Sequence, residues 1–326
     1  MPKSYGFAIG NLRARENSLL KQSDLARLSS SVSAGELASA LRDSGVADRT
    51  SNESVPKLLA QAETGLWEYL REIAPDWEVF EPFLAENDFH NLKAALKALV
   101  RDVPAKDYFI YPAPTDTGLI ERAVREKDFS LLPEYMRQSA ARAYDALLSG
   151  ADPRLCDTVI DRACRNYQLS AVKSKKYRCP LGKKLIETSV LLDNIKTALR
   201  CAESKMSAAF IGEALADTEY PSARALKNAA LGGTEQLLSF LRGCGGIPAA
   251  AAEEYKKSPA ALERFADDTL TETARAAKLI TLGSEPVLGY YMARRAELKN
   301  LRIIYCGIKT GRSPEQITER LRVLYG

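Results

Sequence analysis

Few side chains in this 326-residue sequence could do chemistry, and each lacks the company that its chemistry needs. The single histidine, His90, stands in Phe89-His90-Asn91-Leu92. As a general base it would need a nucleophile within hydrogen-bond reach and a third group to orient it. Nothing in the pattern supplies either, so His90 reads as a polar residue on a helix surface. The six cysteines, at 156, 164, 179, 201, 244 and 306, form no Cys-x-x-Cys pair; with one histidine they do not suggest zinc. Asp267-Asp268-Thr269-Leu270-Thr271-Glu272 sets two carboxylates one helical turn from a third, and carboxylate oxygens suit magnesium. An all-helical, magnesium-dependent synthase would need a second such motif on a facing helix, and none is found. A solvated helix face is the expectation for this run. Leu181-Gly182-Lys183-Lys184 lacks the first glycine and the Ser/Thr of a phosphate loop, and Gly243-Cys244-Gly245-Gly246 has neither a strand before it nor a lysine after it. Both are expected to be turns. No catalytic, metal-binding or cofactor-binding residue is expected, and no small-molecule substrate.

The sharpest charge feature is the run Lys173, Lys175, Lys176, Arg178, Lys183 and Lys184. Against anionic headgroups each such charge contributes about 1 kcal/mol; an acidic protein partner would serve equally, and so would plain solvation of a helix end. Aromatics do not interleave with these cations as a single-strand nucleic-acid groove requires, and a net charge of +4 is small. Nucleic acid is therefore not an expected partner. With 46% apolar and 27% charged residues, the composition is that of a soluble globular protein. No stretch approaches the ~20 apolar residues of a membrane span. The segment from Met1 to Arg13 lacks the apolar region of a signal peptide. The scattered cysteines read as reduced thiols of a cytoplasmic protein.

The elements that carry these residues are organised by an internal repeat. Phe89-His90-Asn91-Leu92-Lys93, Leu192-Asp193-Asn194-Ile195-Lys196 and Leu298-Lys299-Asn300-Leu301-Arg302 recur at spacings of 103 and 106 residues. Positions −2, +1, +5 and +8 from the asparagine are Phe89, Leu92, Leu96 and Leu99; then Leu192, Ile195, Leu199 and Ala202; then Leu298, Leu301, Tyr305 and Ile308. Steps of three and four put each set on one helical stripe, the seam of a helix packed along another. Position +2 is basic each time: Lys93, Lys196 and Arg302. A further tripeptide, Asn11-Leu12-Arg13, has Glu16 at +5 and does not belong to the set. Such a long repeat predicts three related all-α modules, about 1–110, 111–218 and 219–326, arranged around a pseudo-threefold axis or stacked in a row.

Helical periodicity runs through nearly every long segment. Tyr108-Phe109-Ile110-Tyr111 is the best strand-like stretch, but prolines surround it and it reads as an extended connection. Gly283-Ser284 supplies a stop and an N-cap candidate, and Glu285 and Pro286 in the first turn predict the start of the last long helix. Lys309-Thr310-Gly311-Arg312 ends it, and Ser313-Pro314-Glu315-Gln316 is a capping box opening a short final helix. A repeat-solenoid adaptor is the alternative from another class, but its arrays repeat every roughly 34 to 45 residues.

The C-terminal run Gly283-Ser284-Glu285-Pro286-Val287-Leu288-Gly289-Tyr290-Tyr291, continuing through Glu297-Leu298-Lys299-Asn300-Leu301-Arg302 and Gly307-Ile308-Lys309-Thr310-Gly311 to Ile317-Thr318-Glu319-Arg320-Leu321, resembles the C subunit of bacterial and archaeal V/A-type ATPases, the family of the eukaryotic V-ATPase d subunit. Tyr5-Gly6-Phe7-Ala8, Arg13-Ala14-Arg15-Glu16 and Leu19-Leu20 resemble that family's opening helix. Asn11 and the glycines at 243–246 depart from its pattern. The resemblance implies a funnel-shaped, all-helical protein of three similar domains. It further implies a non-catalytic rotor part, peripheral on the cytoplasmic face of the membrane. Such a part sits on the proteolipid ring and receives the central stalk, made of the D and F subunits. On this expectation Lys93, Lys196 and Arg302 occupy equivalent places facing the cavity or the ring, and Lys173, Lys175, Lys176 and Arg178 are further contact candidates.

Overall fold

The computed structural model describes residues 4–148 and 154–326; Met1, Pro2 and Lys3 of the N-terminal stretch considered above lie outside them. Every regular element among the described residues is helical, as the periodicity predicts, and none is a strand. In chain order the α-helices are α1 (Tyr5–Glu16), α2 (Gln22–Ser29), α3 (Ala34–Asp43), α4 (Val55–Ile73), α5 (Glu81–Arg101), α6 (Thr117–Glu126), α7 (Glu134–Leu148) and α8 (Arg154–Lys173). They continue with α9 (Pro180–Glu203), α10 (Ala208–Ala214), α11 (Ala223–Leu231), α12 (Thr234–Cys244), α13 (Gly246–Lys257), α14 (Pro259–Ala274), α15 (Ser284–Lys309) and α16 (Pro314–Thr318). The three asparagines fall on three of the long helices, α5, α9 and α15. None of the described helices is long and apolar enough to cross a membrane.

The chain forms two compact units. One gathers Met1–Val79, Cys179–Leu185 and Glu263–Gly326; the other gathers Phe80–Arg178 and Ile186–Leu262. In the first unit, α15 packs along α4. Its stripe residues Leu298 and Leu301 meet Leu25, Leu28, Leu37, Leu41 and Leu58 from α2, α3 and α4. Fully burying a leucine contributes roughly 1.5–3 kcal/mol, so this seam is a major source of the unit's stability. Trp67 on α4 lies against Tyr291, with ring centroids 4.8 Å apart, and Tyr69 meets Tyr290 edge-on. Gly289 permits the close approach of α15 to the turn before it: a Cβ there would lie 2.4 Å from the Ala277 Cβ.

In the second unit, α5 packs on α8, and α7 on α8. Phe89, Leu92 and Leu96 of α5 meet Ile120, Met136, Ala140, Ala143, Cys156 and Ile160. The small residues of α7 let the backbones come close. The stripe frays at its last position: Leu99 is exposed, whereas Ala202 is buried and Ile308 is half-buried.

Three local expectations shift. Leu181-Gly182-Lys183-Lys184 is the start of α9 and not a turn, because Pro180 suits a first helical position and leaves no break behind it. In the second glycine-rich run the break shrinks to Gly245, at φ +70°; Gly243 and Cys244 finish α12 and Gly246 begins α13. Gly283, at φ +120°, takes the N-cap of α15, and Ser284 is its first helical residue. The capping box forms as expected: Gln316 N–H donates to Ser313 Oγ, and Ser313 N–H to Gln316 Oε1.

Candidate functional site

The repeated asparagines do one job three times. Each is fully buried in the middle of its helix. Asn91 donates from Nδ2 to the Ile110 carbonyl at 3.0 Å and accepts from Ile110 N–H at 2.7 Å. Asn194 does the same with both backbone groups of Ala216, at 2.9 Å each way. Asn300 brackets Arg322, at 3.1 and 2.7 Å. The bracketed residue lies 19, 22 and 22 positions downstream. A side-chain amide offers one acceptor and two donors on a short stem, so it can pair with a peptide much as a neighbouring strand would. Each bracket thereby satisfies a returning segment that has no regular structure of its own.

Two buried carboxylates extend this device, and the sequence pattern alone does not single them out. Asp88 and Glu297 both stand three residues before the asparagine of their repeat, where the second repeat has Leu191. Asp88 accepts from Thr115 N–H at 2.9 Å, Thr115 Oγ1 at 2.7 Å and Tyr135 Oη at 2.5 Å. Burial, reinforced by the hydrogen bond to Asp88, pushes the Tyr135 hydroxyl pKa far up, so the phenol stays protonated. Glu297 accepts from Leu20 N–H at 2.6 Å and from Arg294 at 2.5 Å. Burial raises its pKa against the pull of Arg294. The shared −3 offset is the signal that would have revealed the pair.

The three basic residues at +2 all meet carboxylates of the chain. Lys93 on α5 reaches Asp161 on α8 at 2.6 Å. Lys196 lies 3.0 Å from Asp193 on its own helix, where Arg165 Nε also approaches the same carboxylate at 3.3 Å. Burial alone would raise the Asp193 pKa, but Arg165 and Lys196 together hold it below the usual aspartate value. Arg302 on α15 pairs with Glu63 on α4. Two of the three ion pairs therefore tie a long helix to the helix packed beside it.

In the basic run, Lys173 pairs with Glu219 at 2.7 Å. Lys175, Lys176 and Arg178 lie exposed in the loop that follows α8 and form no ion pair among the described residues. They are the open cations among the contact candidates.

The residues considered for chemistry take structural work. Asp267 accepts from Arg322 Nε at 2.7 Å and lies 2.5 Å from Lys299 Nζ; Asp268 accepts from Val323 N–H at 2.8 Å. Both carboxylates thus pin the same segment that Asn300 brackets, in place of the solvated face expected for them. His90 Nε2 lies 3.1 Å from the Tyr108 carbonyl. Burial pushes the Cys156 thiol up to about 11 and raises Cys164, Cys179 and Cys201 as well, which keeps these thiols protonated and unreactive. Among the described residues no group of three or more His, Cys, Asp or Glu side chains is arranged to hold a metal ion.

Comparison with known proteins adds three likenesses. Residues 8–320 match the ATP synthase (C/AC39) subunit family. The chain is similar to the C subunit of the V-type sodium ATPase of Enterococcus hirae, at 24% identity across 82% of this chain and 81% of that protein. It is also similar to the C subunit of the A-type ATP synthase of Methanocaldococcus jannaschii, at 24% identity across 97% of this chain and 86% of the relative.

Proposed function

Since the chain belongs to the ATP synthase (C/AC39) subunit family and is a non-catalytic subunit of a rotary ATPase, we propose that it is the socket that couples the central stalk, with its D and F subunits, to the membrane proteolipid ring. The observation that carries this reading is the asparagine bracket made three times over: a repeated framework whose buried polar groups are committed to holding shape. A coupling element must resist deformation, and packed helices with internally satisfied segments do so.

The repeat boundaries belong to the same proposal. Each bracketed residue, 110, 216 and 322, lies at or just before the end of a predicted module, so each module closes its own end against its own long helix. The long helix of the first repeat packs on the first helix of the second, α5 on α8, and the long helix of the third packs on α4 of the first. In this reading Lys93, Lys196 and Arg302 act through their in-chain carboxylates. Lys175, Lys176 and Arg178 are the residues that meet an acidic partner or the headgroups beside the ring, at the cytoplasmic face.

The test is fractionation of the assembled ATPase. After the ATP-hydrolysing head is stripped from membranes, the chain is expected to stay with the membrane sector and to capture the D and F subunits in a pull-down. Its release together with the head would overturn the socket. Replacing Lys175, Lys176 and Arg178 together by alanine is expected to weaken retention, and more so as salt rises.

A further inference from the structure

A cavity of about 420 Å³ opens in the second unit between α7, α8 and α10. Position spacing explains how it forms. Tyr135, Ser139 and Arg142 share one face of α7, and Arg162, Asn166 and Tyr167 share the facing side of α8. The two tyrosine rings stack with centroids 4.2 Å apart and make an aromatic wall. At the other end, two guanidiniums converge on one carboxylate oxygen: Arg142 Nη2 lies 2.7 Å from Glu213 Oε2, and Arg162 Nη1 lies 3.5 Å from the same atom.

Arg162 is the unusual member. Its side chain is only 27% exposed, yet its closest acidic contacts are the 3.5 Å approach to Glu213 and a 3.6 Å approach to Asp217. Its Nε is buried and has no acceptor among the described residues. Asp217 cannot swing in easily, because Asn166 holds both its backbone N–H and its carboxylate. A guanidinium presents five N–H donors in a rigid fork suited to planar or tetrahedral oxyanions. A covered arginine with such long contacts, beside a second arginine and an open cavity, is a site short of an oxyanion. We propose that this cavity binds the phosphate group of a small molecule, held between Arg142 and Arg162, with Glu213 occupying the position that the ligand takes. The tyrosine wall gives room and apolar contact for whatever the phosphate is attached to.

The experiment is titration calorimetry on the full chain with inorganic phosphate, with phenyl phosphate and with vesicles containing phosphatidic acid. At least one probe is expected to bind, and the tightest identifies the source: free phosphate, a phosphate ester or a lipid. Arg162→Gln is expected to weaken that binding about tenfold or more, the effect of losing a charge-assisted pair. Glu213→Gln is expected to tighten it, since the competing carboxylate is gone, and a gain cannot come from a misfolded variant. Failure of all three probes to bind, unchanged binding by Arg162→Gln, or no gain in Glu213→Gln would each overturn the proposal.

Discussion

An amide that pairs with both backbone groups of one residue can be replaced neither by an apolar residue nor by a carboxylate. Asn194→Ala leaves the buried N–H of Ala216 without a partner, at about 1–3 kcal/mol, and its C=O with the Thr218 N–H alone. Chemical denaturation should therefore show a loss of about 1–3 kcal/mol, and losses at least as large for Asn91→Ala and Asn300→Ala. Asn→Asp at the same positions keeps the acceptor but sets a buried carboxylate against a carbonyl oxygen, so it should be no milder; wild-type stability in an Asn194→Asp variant at neutral pH would refute the bracket. Glu297 supplies a test of different kind. Its pKa is raised in the folded state by burial, so between its ordinary value of 4.5 and the raised value the folded chain holds the extra proton. Stability contributed by this group is then full below 4.5 and declines as pH rises through that window. Glu297→Gln should flatten this part of a stability-versus-pH curve measured by denaturation. The sequence marked Asn91, Asn194 and Asn300 by recurrence, yet it could not announce what their amides do. Their partners lie 19 to 22 residues downstream in segments without periodicity, where no local pattern records the pairing.

Helices were legible because an apolar stripe must recur every three or four residues to bury one face, and that rule holds wherever the stripe is long. Short glycine-containing runs were not, since a glycine is compatible both with a turn and with a helix whose start is already set, as Pro180 sets α9. Glycines inside the long helices separate these cases by experiment. Ala is favoured over Gly in a helix by about 1 kcal/mol. At Gly65 on α4 a Cβ meets nothing within 4 Å, so Gly65→Ala should raise the denaturation midpoint. At Gly289 on α15 the same change drives a methyl to 2.4 Å from Ala277 Cβ and 2.9 Å from Tyr325 Oη. Gly289→Ala should therefore lower the midpoint despite the better helix former, with a cost of about 1–3 kcal/mol typical of overpacking. Equal shifts for the two variants would show that α15 does not pack so closely.

At the scale of the molecule, the last residues carry more than their number suggests. Arg322 is bracketed by Asn300, Val323 N–H is held by Asp268, the Leu324 carbonyl receives Arg275, and Tyr325 is buried. Removing residues 322–326 should destabilise the first unit cooperatively, read as earlier proteolysis of α1–α4 and α15 than of the second unit. An exposed, dispensable tail would leave the digestion pattern unchanged. The pairing of α15 with α4 also sets an order in time. A ribosome delivers α4 long before α15, the helix that packs along it. Trp67 and Leu58 of α4 must wait for their α15 partners through the synthesis of about two hundred further residues, while the second unit can already fold. Until α15 is made, the nascent chain is most exposed to aggregation or to chaperone capture at these α4 residues.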